Sequence, residues 1–155
     1  MTTLRFETEN EAQTEALGAR LAPLLARLRR IYVRGPLGAG KTTLVRGLLR
    51  GLGHTGPVKS PTFTLIEPYR LGGVSVFHFD FYRIEDPAEL EFLGLRDYLG
   101  GEDVCVVEWP ERAGEVLPPP DLDVMIHSSN DRGRVLQLQA HSEIGEAALR
   151  NWVNE

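Results

Sequence analysis

Apolar residues fall in short blocks along the chain, and the spacing within each block separates helices from strands. Ala12, Ala16, Leu17, Leu21, Leu24, Leu25 and Leu28 recur at helical intervals, which predicts an amphipathic helix packed on a sheet. Thr8-Glu9-Asn10-Glu11 ahead of it has the form of a capping box, with Thr8 as N-cap and Glu11 three residues on. Pro23 lies inside the block and predicts a kink or a split. Before the helix, Leu4-Arg5-Phe6 reads as a short edge strand. A last helix is expected after Ser142 as its cap, with Ile144, Ala147, Ala148 and Trp152 facing inward.

The other blocks are strand-like or short helices. Arg29 to Arg34 reads as a strand and Thr43 to Leu49 as a helix. Phe63 to Glu67 and Val74 to Asp80 read as strands joined through a hairpin turn at Leu71-Gly72-Gly73. Asp86-Pro87-Ala88-Glu89 starts a helix that carries Leu90, Phe92 and Leu93, followed by a short one from Leu95 to Leu99. Asp103 to Glu108 is almost continuously apolar, as expected of a central strand covered on both faces. After the stiff Pro118-Pro119-Pro120 connector, Leu122 to Ser128 and Arg134 to Ala140 predict an antiparallel pair. Gly51 to Thr62 is too rich in Gly and Pro for regular structure and is a candidate functional loop. Strands alternating with helices point to an α/β fold.

At 155 residues, 42% hydrophobic and 25% charged, the chain suits one domain of a soluble globular protein. No apolar run would span a bilayer, and the start of the chain lacks the basic-then-apolar form of a signal peptide, so cytoplasm is the expected location. Cys105 sits in an apolar strand and reads as a core residue. The net charge of −5 argues against strong autonomous binding to nucleic acid; a link to RNA would run through a partner.

Against this ordinary background one stretch carries chemistry. Gly35-Pro36-Leu37-Gly38-Ala39-Gly40-Lys41-Thr42-Thr43 fits the phosphate-loop pattern G-x-x-x-x-G-K-[ST], between a strand and a helix as the pattern requires. Glycines let the main chain curl until its N–H groups face a phosphate chain, and the helix start adds the positive end of its dipole. Lys41 would reach the β- and γ-phosphates, and the Thr42 hydroxyl would hold Mg2+. Gly38, Ala39, Gly40, Lys41, Thr42 and Thr43 are the candidate nucleotide contacts. Lys41 and Lys59 are the only lysines, every other long cation being arginine, which makes a lysine at the motif position informative.

Such a loop needs an acid for its metal, and in this fold class the acid ends a hydrophobic strand. Asp80 and Glu108 both do so. One would contact Mg2+ and the other orient the attacking water; spacing does not say which. Ser60-Pro61-Thr62-Phe63-Thr64 is a candidate switch with hydroxyls near the γ-phosphate, or a turn entering a strand. His78 reads as a packed strand residue, and Trp109 as packing or a partner contact.

The chain resembles the TsaE (YjeE) family, ATPases of bacterial tRNA threonylcarbamoyladenosine biosynthesis. The resemblance lies in Gly35 to Thr43, Val58 to Leu65, His78-Phe79-Asp80-Phe81-Tyr82-Arg83, Glu89 to Gly94 and Val107-Glu108-Trp109-Pro110-Glu111. It implies a P-loop NTPase-like three-layer fold with a mixed parallel and antiparallel sheet, ATP and Mg2+ as ligands, and slow intrinsic hydrolysis. It also implies TsaD- and TsaB-like partners in a complex that modifies the adenine next to the anticodon, with tRNA met only through that complex. The family's roles fall on Lys41 and Thr42 for phosphates and Mg2+, on Asp80 and Glu108 for metal and water, and on Ser60 to Thr64 as a switch-like loop. Trp109 falls in a functional motif. Glu11 and Glu111 are candidates for contacts near the nucleoside, with helix capping as the other account of Glu11. The competing reading is a small-metabolite P-loop kinase, which would need an acceptor site and an Arg-bearing lid. A GTP-dependent switch would use an N-K-x-D segment, which the chain lacks.

Overall fold

The computed structural model describes all residues from Met1 to Glu155. Seven strands form one sheet: β1 (Thr3–Thr8), β2 (Arg30–Arg34), β3 (Ile66–Leu71), β4 (Val74–Asp80), β5 (Val104–Glu108), β6 (Leu122–Ser128) and β7 (Arg134–Ala140), in the order β1-β7-β6-β2-β5-β4-β3. The pairs β2–β5, β2–β6 and β4–β5 are parallel. The outer pairs β1–β7, β6–β7 and β3–β4 are antiparallel. The mixed sheet is therefore parallel at its centre, where both faces are covered.

Five helices complete the chain: α1 (Glu11–Leu21), α2 (Lys41–Gly51), α3 (Ala88–Phe92), α4 (Leu95–Leu99) and α5 (Glu143–Val153). Two 3-10 turns, Ala22–Arg27 and Pro110–Val116, fill the gaps. Period-2 alternation along the central strands sends side chains to two cores. Ile31, Val33, Val104 and Val106 join α1, α2 and α5 residues such as Leu17, Leu44 and Leu149. Tyr32, Cys105 and Val107 point the other way, to Leu90, Leu95, Leu99 and Ala113. Helices thus cover both faces of the sheet, giving three layers. No helix is long and apolar enough to cross a membrane.

Most predicted elements are present, and the departures have physical causes. Pro23 does end α1, which continues as a 3-10 turn. The N-cap is Asn10, not Thr8: the Asn10 side chain accepts from Gln13 N at 2.8 Å, while Thr8 closes β1 and bonds Thr14 through hydroxyls 2.7 Å apart. The inner face of α1 is Thr14, Leu17, Gly18 and Leu21, with Ala12 and Ala16 exposed. The helix lies against α2 because glycines let the two backbones touch. A Cβ on Gly47 would stand 2.1 Å from the Glu15 carbonyl oxygen, and one on Gly18 would stand 2.5 Å from that of Leu44.

The strand expected from Phe63 begins only at Ile66, since residues 61–64 form a turn and Phe63 is exposed. On α3 only Leu90 is buried, while Phe92 and Leu93 face outward. Ser142 caps α5 through Gly145 N at 3.0 Å as expected. Of its expected inner residues, Ala148 is buried and Trp152 packs against the core, whereas Ile144 and Ala147 are exposed and Gly145 and Leu149 are buried instead. The helix turns so that Gly145 passes under the Asp121 carbonyl, 2.0 Å from where a Cβ would be.

Candidate functional site

Parallel pairing aligns strand ends, so β2, β5 and β4, three of the four mutually parallel strands, finish at the same edge of the sheet. Val33 sits beside Glu108 and Glu108 beside Asp80 in register. That edge is where ligands bind in open α/β sheets. The β2 chain runs from it directly into the Gly35–Gly40 loop, and α2 starts at Lys41.

The loop takes backbone conformations that side chains disfavour. Gly38 has φ +77° and Gly40, at the helix N-cap, has φ +101°. The first N–H groups of α2 have no partner within the helix. Arg134, at the start of β7, braces the loop from outside, donating from Nε to Ala39 O at 2.7 Å and from Nη2 to Gly38 O at 3.4 Å. Lys41 is buried and its Nζ donates to the carbonyls of Gly35 and Pro36, both at 2.7 Å. The same Nζ lies 4.4 Å from the centre of the Trp109 ring. Burial holds the Lys41 pKa below its ordinary value, with the charges of Glu108, Asp80 and Glu111 pulling the other way.

Across the cleft the two acids have different company. Thr42 Oγ1 donates to Glu108, 3.1 Å from Oε1 and 3.2 Å from Oε2. Glu108 Oε2 is also 2.5 Å from His78 Nε2, and both side chains are buried. The other ring nitrogen, His78 Nδ1, is enclosed without a partner, an arrangement that costs about 1–3 kcal/mol. Asp80 instead accepts from hydroxyls, with Oδ2 3.2 Å from Ser60 Oγ and 2.9 Å from Thr62 Oγ1. Its Oδ1 accepts from Tyr82 N at 2.9 Å. The segment proposed as a switch is therefore tied to Asp80, and Leu65, the residue that follows it, has φ +68°, an uncommon state for a branched residue.

These groups enclose a hollow of about 350 Å³ lined by Gly38, Gly40, Lys41, Thr42, Asp80 and Glu108, among others. A second hollow of about 650 Å³ adjoins it across Gly38, Gly40 and Thr43 and is walled by Asn10, Glu11, Arg132 and Arg134. Glu11 thus lies beside the loop, ion-paired with Arg46 at 2.7 Å. Glu111 is exposed on the 110–116 turn and lines neither hollow.

His78 contacts Glu108 and is not simply the packed strand residue expected. The available signal was its place two residues before Asp80, hence on the same face of β4. Arg134 left no signal, because its relation to the loop depends on a strand far along the chain. The oxygen donors suit a hard cation such as Mg2+. No three His, Cys, Asp or Glu side chains are grouped to hold a metal by themselves, and Mg2+ is characteristically bound by one or two carboxylates together with phosphate oxygens and water.

Residues 8–136 match the family model described as "Threonylcarbamoyl adenosine biosynthesis protein TsaE". The chain belongs to the TsaE family. Two TsaE relatives, each named tRNA threonylcarbamoyladenosine biosynthesis protein, extend the match. That of Haemophilus influenzae is 43% identical, covering 88% of this chain and 89% of its own. That of Bacillus subtilis is 39% identical, covering 90% and 87%. The TsaE fold agrees with a solved structure as well. A crystal structure of Bacillus subtilis YdiB is 32% identical and superposes with a TM-score of 0.83, over 99% of this chain and 95% of that one.

Proposed function

We propose that this TsaE-family chain is a single-domain, cytoplasmic ATPase that binds ATP with Mg2+. In this reading it hydrolyses ATP slowly alone and serves a complex of TsaD- and TsaB-like partners that forms threonylcarbamoyladenosine in tRNA. The observation that carries the reading is the convergence of a lysine-bearing glycine loop with two strand-end acids at one sheet edge. The N–H groups of Gly38 to Thr43 and the positive end of α2 receive the phosphates. Lys41 supplies a compact charge for the β- and γ-phosphates. The larger adjoining hollow beside Glu11 takes the nucleoside, and Glu111 contributes through its charge.

Thr42 and Glu108 would hold Mg2+, directly or through water. When bound, the ion neutralises charge on the phosphate oxygens. Asp80, linked to Ser60 and Thr62, orients the water that attacks the γ-phosphorus and couples its position to the switch segment. Water adds to phosphorus, the bond to the bridging oxygen breaks, and ADP and inorganic phosphate leave. Arg83 stacks on Phe63 at 4.0 Å and Arg112 lies 5.5 Å from the Tyr82 and Trp109 rings. Neither guanidinium lines the hollow, which supports slow turnover without a partner. The net charge of −5 supports contact with tRNA through partners. The relatives' names favour this role over a small-metabolite kinase.

The test is ATP turnover by the chain alone and with TsaD- and TsaB-like proteins and tRNA. Slow turnover that rises with partners is expected. Lys41→Ala should weaken nucleotide binding about 10- to 100-fold, the worth of a hydrogen bond to a charged group. Fast turnover alone, or wild-type turnover in Lys41→Ala, would overturn the reading.

A further inference from the structure

We propose that His78 is a positioning residue that sets the orientation of the Glu108 carboxylate through its Nε2–H. The proposal rests on the reading of Glu108 as an acid at the metal. Glu108 has two hydrogen-bonding side-chain neighbours, Thr42 and His78. The Thr42 hydroxyl has one proton and lies almost equally far from both carboxylate oxygens, at 3.1 and 3.2 Å. It therefore cannot fix the carboxylate plane. His78 Nε2, 2.5 Å from Oε2 alone, can.

One ring nitrogen, Nε2, faces Glu108 Oε2, and the other, Nδ1, is enclosed with no partner of any kind. His78 is wholly buried in β4, between Phe77 and Phe79 in a strand of apolar neighbours. An apolar residue would fill that place without stranding a polar atom. What the imidazole adds is one N–H at Oε2, leaving Oε1 engaged only with Thr42 at the foot of the loop. Carboxylates at metal sites are held by such outer hydrogen bonds, and losing one lowers metal affinity. The role needs a hydrogen-bond donor at that point.

The test uses the full chain with a non-hydrolysable ATP analogue, and Mn2+ as a paramagnetic probe read by electron spin resonance. His78→Phe should weaken Mn2+ binding to the protein–nucleotide complex by about 10- to 100-fold. Nucleotide affinity measured in EDTA should stay within about twofold of wild type, since nothing in the loop has changed. His78→Gln carries an N–H at similar reach and should recover Mn2+ affinity to within about fivefold of wild type. Wild-type Mn2+ affinity in His78→Phe would overturn the proposal. So would an equal loss in the Phe and Gln variants, which would mean that ring packing alone matters.

Nitrogen resonances of the wild-type ring give an answer even if His78→Phe does not fold. An Nε2-protonated tautomer is expected, and an Nδ1-protonated one would overturn the proposal. Wild-type protein that takes up no Mn2+ with nucleotide would instead remove the underlying metal reading, a result distinct from an unaffected variant.

Discussion

Thr42 and Glu108 are 66 residues apart in the chain, yet the threonine hydroxyl lies 3.1 Å from the carboxylate. Asp80, the register neighbour of Glu108, has no such contact and holds Ser60 and Thr62 instead. The two acids should therefore fail differently. Glu108→Gln should raise the Mg2+ concentration needed for half-maximal hydrolysis by about 10- to 100-fold. Asp80→Asn should leave that concentration near wild type and lower turnover by about 100-fold or more, as for loss of a group acting on the reacting water. Mg2+ titrations of steady-state hydrolysis check both, and equal Mg2+ shifts in the two variants would contradict the division of labour.

The chain has two tryptophans, and one of them watches the loop. Lys41 Nζ sits 4.4 Å from the Trp109 ring centre, whereas Trp152 donates to Arg20 O at 2.9 Å on a remote helix. Drawing the ammonium toward phosphates changes the field at Trp109 and leaves Trp152 untouched. Titration with ATP should change the intrinsic fluorescence of wild type and Trp152→Phe alike. Trp109→Phe should lose the response, and persistence of the signal there would show that the indole beside Lys41 is not its source.

Contact between α1 and α2 gives a stability prediction with an internal control. A Cβ at Gly47 would lie 2.1 Å from the Glu15 carbonyl oxygen and 3.0 Å from Gly18 Cα, both backbone atoms. Gly47→Ala must push the helices apart, at a cost of about 1–3 kcal/mol or more. Gly73, in the β3–β4 turn, has nothing within 4 Å of a Cβ. Gly73→Ala should stay within about 0.5 kcal/mol of wild type. Thermal or urea melts compare the two, and similar melting points would refute the close-packed helix pair.

Burial, reinforced by Asp103 and partly opposed by Arg30, pushes the Cys105 thiol up to about 12 from an ordinary value of 9.0. Between those values the unfolded chain has released its proton and the folded chain keeps it. Stability therefore falls as pH rises through that window, by up to about 1.4 kcal/mol per pH unit from this group, and is unaffected by it below. Tyr32, also raised chiefly by burial, adds a slope of the same sign at higher pH. Cys105→Ala should flatten the alkaline decline seen in urea melts between about pH 8 and pH 10.5. The native thiol should stay inert to thiol reagents until the chain unfolds; rapid labelling of folded protein would contradict its place in β5.

The stretch from Gly35 to Thr43 could be read directly because its shape depends on its own residues. Three glycines, a lysine and a hydroxyl at set intervals specify a curled main chain whatever surrounds it. The near-continuous apolar run of β5 and the paired strands β6 and β7 were equally open to reading, since burial on both faces and a five-residue polar turn leave local marks. The end of β4 at Asp80 and of β5 at Glu108 could likewise be found one strand at a time.

Relations between distant segments left no such marks. Which acid meets Thr42 follows from β5 lying next to β2, with β4 one strand further out, and strand order is settled by the packing of the whole sheet. The His78 contact with Glu108 and the Arg134 brace on the loop arise in the same way. So does the inner face of α1, where Gly18 replaces the expected alanines because a backbone 29 residues further on, at Gly47, presses against it. Hydrophobic spacing reports that a face is buried, but a glycine buried by close approach looks like a gap in the pattern. A polar side chain buried against a carboxylate looks like an interruption, until the strand that carries its partner is laid beside it.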